Sequence, residues 1–213
     1  MFVDVTTIIE KTEYSIIIQR KWLFETITGL LDRLMALVLL IVTLPILFFF
    51  AIWVKLEDGG SVLYRQNRVG KDGRIFIVYK VRSMCVDNSG KGSTETEVND
   101  SRITKVGKIM RLTRIDELPQ LLNIVLGNMK LIGPRPLVPE QVIKYSKEIP
   151  EFVNRLAVKP GLTGWAQVNG GNENTPEEKL NLDLEYIEKR GFRIYINIIL
   201  KTIWVVLSGD GAR

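Results

Sequence analysis

The sequence predicts an α+β chain, mostly helical, with a membrane helix near its N-terminus, a short β-hairpin after it and amphipathic helices around a charged site. Three observations carry that expectation. Residues 34–54, LMALVLLIVTLPILFFFAIWV, are apolar and free of charge. SVLYRQNRVGKDGRIFIVYKVRSM, from Ser61, holds two strand-like runs around a Gly-Lys-Asp-Gly turn. Beyond it, helix-forming stretches alternate with proline- and glycine-rich loops.

The apolar run comes first. Fully helical, its length is about 31 Å, close to the hydrocarbon thickness of a bilayer. It lies too far from the N-terminus, and lacks the small-residue cleavage site, for a signal peptide. Pro45 removes a backbone donor near its middle and crowds the carbonyl of Ile41, so a kink is expected. Two geometries satisfy this: a bent span, which hydropathy favours, or a re-entrant hairpin of Leu34–Leu44 and Pro45–Val54. Basic residues flank both sides, Arg20, Lys21 and Arg33 before and Lys55, Arg65 and Arg68 after, so charge gives no orientation. The division that follows is a lead-in and anchor over residues 1–58 and a catalytic-size domain over 59–213. Residues 1–20 read as a short ordered or interfacial lead-in.

In the second part, strands are expected near 62–66 and 75–81, with the hairpin gathering Arg65, Arg68, Lys80 and Arg82. Residues 86–101 are polar and Gly/Ser-rich and read as a mobile surface loop. Helices are expected over Lys105–Leu112, from near Asp116 to about Leu126, over Pro139–Lys147 and from Thr175 or Pro176 to Lys189. LIGPRPLVPE, residues 131–140, holds Arg135 in a stiff extended loop. KPGLTGWAQVNGG, residues 159–171, has the glycine density of a loop that brings backbone close to a ligand, and it carries Gln167 and Asn169 as candidate substrate contacts. INIILKTIWVVL, residues 196–207, is too short to span and suits the core or the membrane interface.

Composition narrows the chemistry. The 213 residues carry a formal charge of +5, which points to anionic partners: a lipid surface, nucleic acid or a phosphorylated small molecule. There is no histidine, which excludes Ser-His-Asp triads, Cys-His pairs and His-liganded zinc. The single cysteine, Cys85, rules out an intramolecular disulfide and reads as a small inert side chain. Acid–base or nucleophilic work falls to carboxylates, lysine, tyrosine or the one cysteine.

RIDELPQLLNIV, residues 114–125, places Asp116 and Glu117 side by side. An acidic helix start gains a few tenths to about 1 kcal/mol from capping and the helix dipole, and that alone explains an isolated pair. Here Arg111, Arg114 and Arg135 add guanidinium forks suited to phosphate oxygens. A carboxylate among arginines suits a nucleophile or a ligand to a hard cation, and two carboxylates beside a diphosphate point to Mg2+. Trp165 suits stacking on a base or a structural role. Trp22, Trp53 and Trp204 suit interfacial anchors or core positions.

NDSRITKVGKIMRLTRIDELPQLLNIVLGNMKLIGPRP, KPGLTGWAQVNGGN, EEKLNLDLEYI and LKTIWVVLSGDGAR together resemble the bacterial sugar transferase family, the monotopic phosphoglycosyl transferases, over about residues 31–213. The length is similar to the minimal catalytic form. The resemblance implies an enzyme of the bacterial inner membrane, with its site on the cytoplasmic face. It would move a sugar 1-phosphate from a UDP-sugar to a polyprenyl phosphate, undecaprenyl phosphate above all. It implies that Asp116 is the nucleophile, forming an aspartyl phospho-sugar and releasing UMP. Glu117 would be its acidic partner, with Mg2+ held by Asp116 and Glu117. Lys80, Arg111 and Arg135 match phosphate-contacting positions and Asp183 an active-site acid. Pro45 matches the break of a re-entrant membrane helix, which reverses the hydropathy preference. An anionic lipid surface is an implied partner, a homodimer is left open, and no nucleic acid is implied. A non-catalytic scaffold of a glycan assembly complex would share these motifs apart from a competent Asp116. A membrane-tethered nucleic-acid-binding protein fits the charge but lacks any recognition module.

Departures from the family pattern lie at the anchor and the sugar side. Gly29-Leu30 stand where a basic pair is usual, and Leu44 where serine precedes the proline, leaving Thr43 to supply a hydroxyl. Gly171 stands where arginine is common and Tyr195 where aspartate is, which bears on which sugar is bound.

Overall fold

A computed structural model describes residues 21–85 and 100–208. The lead-in read over residues 1–20, most of the polar loop at 86–101 and residues 209–213 lie outside the described residues. The chain opens with α1, Trp22–Asp58, a helix of 37 residues. It is longer at both ends than the apolar run, and Pro45 lies inside it without ending it. Just before the proline, the Thr43 hydroxyl donates to the carbonyl of Leu39 at 2.7 Å, a local contact of the kind that bends helices. Among the described residues α1 is the one helix long and apolar enough to cross a membrane. One stripe of it, through Thr28, Asp32, Ala36, Phe50 and Val54, is buried against the rest of the chain. The opposite side, including Leu34, Val38, Ile41, Val42 and Phe48, is exposed, a surface that belongs in lipid rather than water.

The hairpin follows as β1, Leu63–Val69, and β2, Ile75–Val81, paired antiparallel. The glycine turn closes it with Asp72 and Gly73 both at positive φ, 54° and 73°, the backbone that Asp and Gly tolerate best. In this register Lys80 faces Tyr64, Arg65 faces Tyr79 and Arg68 faces Phe76. Lys80 and Arg68 therefore share one side of the hairpin, and Arg65 is on the other. The expected gathering of four basic residues is corrected accordingly. The far edge of β2 is closed by a side chain: the fully buried Asn123 donates to the Ile77 carbonyl at 2.6 Å and accepts from the Tyr79 amide at 3.3 Å.

α2 is Lys105–Leu112, as expected. Glu57, near the end of α1, accepts from the backbone amides of Lys105 at 2.8 Å and Val106 at 3.4 Å, joining the two helices end to end. α3 is Gln120–Val125 and does not begin at Asp116. The acidic pair lies in a separate 3₁₀ turn, Ile115–Glu117, because Pro119 cannot donate and the helix starts only after it.

Two strands escaped the sequence pattern. β3, Lys130–Ile132, and β4, Gly161–Thr163, pair in parallel. Between them lie α4, Pro139–Glu148, and a 3₁₀ segment, Pro150–Ala157, with Phe152, Arg155 and Leu156 buried. After β4 come α5, Trp165–Val168, α6, Pro176–Lys189, and α7, Phe192–Ser208. α6 starts in a capping box formed by Thr175 and Glu178. α7 leaves Phe192, Ile196, Leu200, Ile203 and Leu207 exposed along one face.

α1 is part of the core. Ala36 packs with Val78, Leu121, Ile124 and Met129. Phe50 and Val54 pack with Val81, Val106 and Met110. A third cluster, Ile132, Val158, Tyr186, Ile187 and Ile198, joins the small sheet to α6 and α7.

Candidate active site

The acidic pair is buried, Asp116 at 8% and Glu117 at 9% exposure. Arg114 enters its turn at φ 57°, a left-handed conformation that costs a non-glycine residue roughly 1 kcal/mol. The strain sets Asp116 and Glu117 on a tight turn instead of a helix. Lys80, near the end of β2, reaches Glu117 Oε1 at 2.7 Å. Arg135 reaches the same carboxylate with Nη2 at 2.5 Å and Nη1 at 3.3 Å, the planar two-point contact that guanidinium makes with carboxylate. Burial pushes the Glu117 carboxyl up, but the charges of Arg135 and Lys80 outweigh it and hold the group well below the usual range. Glu117 is thus a fixed anion.

Asp116 differs. Among the described residues no ion pair or side-chain hydrogen bond ends on its carboxylate. Burial, and then the negative charge of Glu117, push it up to about 6, against the pull of Lys80, Arg111 and Arg135. It is mostly ionised at neutral pH, desolvated and unpaired, which are the conditions of an activated nucleophile. Arg68, on the Lys80 side of the hairpin, donates to the Pro136 carbonyl at 3.1 Å. Burial, with Arg135 nearby, pushes its guanidinium down to about 10, so it remains charged and adds to the basic side of the site.

Arg135 is held from behind. The buried Asp183 pairs with Arg155 at 2.7 Å, and Arg155 Nη2 donates to the Arg135 carbonyl at 3.0 Å. Asp183 therefore acts three contacts away from Glu117, as a support of the Arg135 loop. Burial raises its carboxyl above the ordinary value in spite of Arg155. Arg155 was missed from sequence. Its signal was the helical spacing of Phe152 and Leu156, which predicts that an arginine between them points inward.

The glycine-rich segment does something other than cradle a ligand. A Cβ on Gly133 would be 2.5 Å from the Lys159 carbonyl, on Gly161 2.0 Å from the Gly133 amide, and on Gly164 2.1 Å from the Gly133 carbonyl. These glycines let backbone approach backbone, fixing the loop that carries Arg135. Asn169 is spent internally: it donates to the Trp165 carbonyl at 2.8 Å and accepts from Lys201 at 2.6 Å. Trp165 donates to Glu185 at 2.8 Å and has Lys201 over its ring at 4.7 Å, which makes it structural. Gln167 has both amide atoms buried and without a hydrogen bond, so it keeps unused capacity for a ligand. Gly171 sits at φ 55°, a position where a side chain is strained. The Tyr195 hydroxyl donates to Asp32 on α1, so this departure serves the anchor.

An α+β protein with one helix long and apolar enough to cross a membrane results, with a desolvated carboxylate beside an acid that two cations lock in place. The chain belongs to the Bacterial sugar transferase family, whose sequence profile matches residues 23–209. It is 40% identical over 186 residues to a UDP-N-acetylgalactosamine-undecaprenyl-phosphate N-acetylgalactosaminephosphotransferase of Aeromonas hydrophila, covering 86% of this chain and 44% of that protein. It is 38% identical over 191 residues to a UDP-glucose:undecaprenyl-phosphate glucose-1-phosphate transferase of Xanthomonas campestris pv. campestris, 87% of this chain and 40% of that protein. An uncharacterized sugar transferase of Bacillus subtilis, EpsL, is 38% identical over 184 residues, 86% of this chain and 89% of its own. The chain spans less than half the length of the first two relatives.

Proposed function

We propose that this chain transfers a sugar 1-phosphate from a UDP-sugar to a polyprenyl phosphate, undecaprenyl phosphate by analogy with its relatives, as a first membrane step of glycan assembly. The observation that carries the reading is the asymmetry of the pair: Glu117 is saturated by Lys80 and Arg135, and Asp116 is unpaired. Asp116 attacks the sugar-bearing phosphorus, the bond from that phosphorus to the bridging oxygen breaks, and UMP leaves with that oxygen. A phosphate oxygen of the polyprenyl acceptor then attacks the same phosphorus and frees the Asp116 carboxylate. Lys80, Arg111 and Arg135 neutralise charge on the phosphates through both displacements. Gln167 is the best remaining candidate for a polar contact to the donor.

Mg2+ fits this donor set in a limited way. Among the described residues no three Asp, Glu or Cys side chains cluster, and Glu117 is already bound by two cations. Asp116, with Glu117 if a cation releases it, would hold the ion together with substrate phosphates, the usual mode for this metal. When bound, Mg2+ supplies neutralisation of the diphosphate.

In the same reading α1 is re-entrant, with both flanks on the cytoplasmic face of the inner membrane. Glu25 pairs with Lys130 at 2.6 Å, and Glu57 binds the start of α2. A straight helix would separate these two residues by about 48 Å, more than the roughly 40 Å diameter of a 150-residue domain. A bend at Thr43–Pro45 removes the conflict. The exposed face of α7 then lies in the interface.

The test is UMP release from a panel of UDP-sugars with polyprenyl phosphate and Mg2+. Asp116→Asn is expected to lose at least about a thousandfold in rate, and intact-mass analysis of wild-type enzyme with donor alone should find a sugar-phosphate on Asp116. Full turnover by the variant would overturn the covalent step.

A further inference from the structure

A cleft lies away from the acidic pair, between the first turns of α1, the hairpin turn and the segment leading into β4. It encloses about 530 Å³ and is lined by Arg33, Lys71, Lys130 and Lys159, with Glu25 the single carboxylate and Trp22, Gly29 and Leu30 on the α1 wall. Glu25 is answered twice, by Lys130 at 2.6 Å and by Arg190 at 2.8 Å. Lys159 donates to the Gly127 carbonyl at 2.7 Å. Among the described residues the side chains of Arg33 and Lys71 make no hydrogen bond or ion pair, so the cleft holds uncompensated positive charge. Burial, and then the charges of Arg33, Lys130 and Lys71, lower the Lys159 ammonium, the response of cations crowded around a shared space.

This is a different place from the acidic pair. Lys71 is at the turn of the hairpin and Lys80 near its other end, on the order of 20 Å apart at strand spacing. It also has a direction. Arg33 is the last charge before the apolar run, and from Leu30 the exposed residues Leu34, Leu37 and Ile41 continue at helical spacing along the same face of α1. A cationic cup thus opens onto an apolar track at the level where water meets lipid.

We propose that this cleft is a binding site for one anionic membrane phospholipid, its phosphodiester between Arg33, Lys71 and Lys159 and its acyl chains along Leu30, Leu34, Leu37 and Ile41. A soluble phosphate would use the cup and leave the track idle; a zwitterionic lipid would leave its surplus charge unmatched. The site lies outside the transfer chemistry proposed above and stands or falls without it.

The experiment uses the full chain in nanodiscs of phosphatidylcholine with or without phosphatidylglycerol, and native mass spectrometry to count lipids retained. Wild type should retain one phosphatidylglycerol. Arg33→Gln/Lys71→Gln, which alters two side chains without partners, should weaken retention roughly tenfold. Gly29→Leu, which fills the cleft without changing charge, should do the same, so misfolding of one variant leaves the other decisive. UMP release in detergent should be unchanged in both. Equal retention by wild type and variants, or equal retention of phosphatidylcholine, overturns the site. Displacement by millimolar inorganic phosphate would reassign it to a free anion, and displacement by stoichiometric polyprenyl phosphate to the acceptor, either of which overturns the phospholipid assignment.

Discussion

Two adjacent carboxylates with opposite circumstances define the site at the scale of single residues. Asp116 carries an ordinary carboxyl chemistry displaced upward to about 6 by burial and by Glu117. The folded state therefore holds this proton more tightly than the unfolded chain does, and ionising it destabilises the fold. The penalty is absent below about pH 4 and complete above about pH 6 to 7. Asp116→Asn should raise thermal stability at pH 7, on the order of 3 kcal/mol, and the gain should vanish in scans at pH 4. If the variant gains nothing at pH 7, the carboxylate is not under strain. The same displacement predicts that single-turnover transfer rises with pH through about 6, because the attacking group must first lose its proton. Glu117 runs the other way: its depressed carboxyl stabilises the fold at neutral pH, and that contribution is lost on acidification through its lowered range.

Asp183 and Arg155 argue a related point. Removing one partner of a buried pair strands the other, so Asp183→Ala should cost about 3–5 kcal/mol. Replacing both, as Arg155→Met/Asp183→Leu, should recover much of that stability but not activity, since the Arg135 carbonyl still lacks its donor. Thermal melts and UMP release on the same preparations separate the two effects, and restored activity in the double variant would reduce the pair to packing.

Among elements, the small parallel pair of β3 and β4 does the positioning. Gly161→Ala would drive a methyl to 2.0 Å from the Gly133 amide, with backbone on both sides and nothing flexible to yield. A loss of about 3 kcal/mol or more is expected, with the acidic pair losing its Arg135 contact; a melt within 2 °C of wild type, by the about 2–4 °C that 1 kcal/mol moves a chain this size, would contradict it. Asn123→Leu is the counterpart on the hairpin. It leaves the Ile77 carbonyl and Tyr79 amide unpaired and should cost about 2 kcal/mol, visible as faster amide exchange at Tyr79.

These elements also show what a sequence can reveal. The hairpin was legible because seven-residue strands flank a turn whose residues tolerate positive φ. α2 and α6 fall where the sequence places helices, Lys105–Leu112 and Thr175 or Pro176 to Lys189, and in the structure Thr104 and Thr175 cap them. β3 and β4 were not, because three residues cannot display a period of two. The acidic turn was read as a helix start because acids favour that place; the deciding facts, Pro119 and the left-handed Arg114, are steric. Glycines 161 and 164, in the segment 159–171, were read as room for a ligand, although spacing cannot say whether the close neighbour is a substrate or, as here, the backbone at Gly133. The candidate residues Lys80, Arg135, Asp116 and Glu117 do come together, Arg111 acts on Asp116 through its charge, and Asp183 and Asn169 turn out to serve the frame.

For the molecule as a whole, the question is how α1 sits. A re-entrant helix keeps residues on both its flanks reachable from one side. In a Cys85→Ser background, single cysteines at Glu25 and Glu57 should both react with a membrane-impermeant maleimide in inside-out vesicles and neither in right-side-out ones. Labelling from opposite sides would establish a span.

The contact between Glu57 and the amides of Lys105 and Val106 has a practical side. The anchor supplies the counter-charge for the first turn of α2, the helix that carries Arg111, while Ala36, Phe50 and Val54 fill the interior. A fragment starting at residue 59 would expose raw core and strip the Lys105 and Val106 amides of their acceptor, so solubilising this protein by trimming is expected to yield aggregates rather than a tractable enzyme.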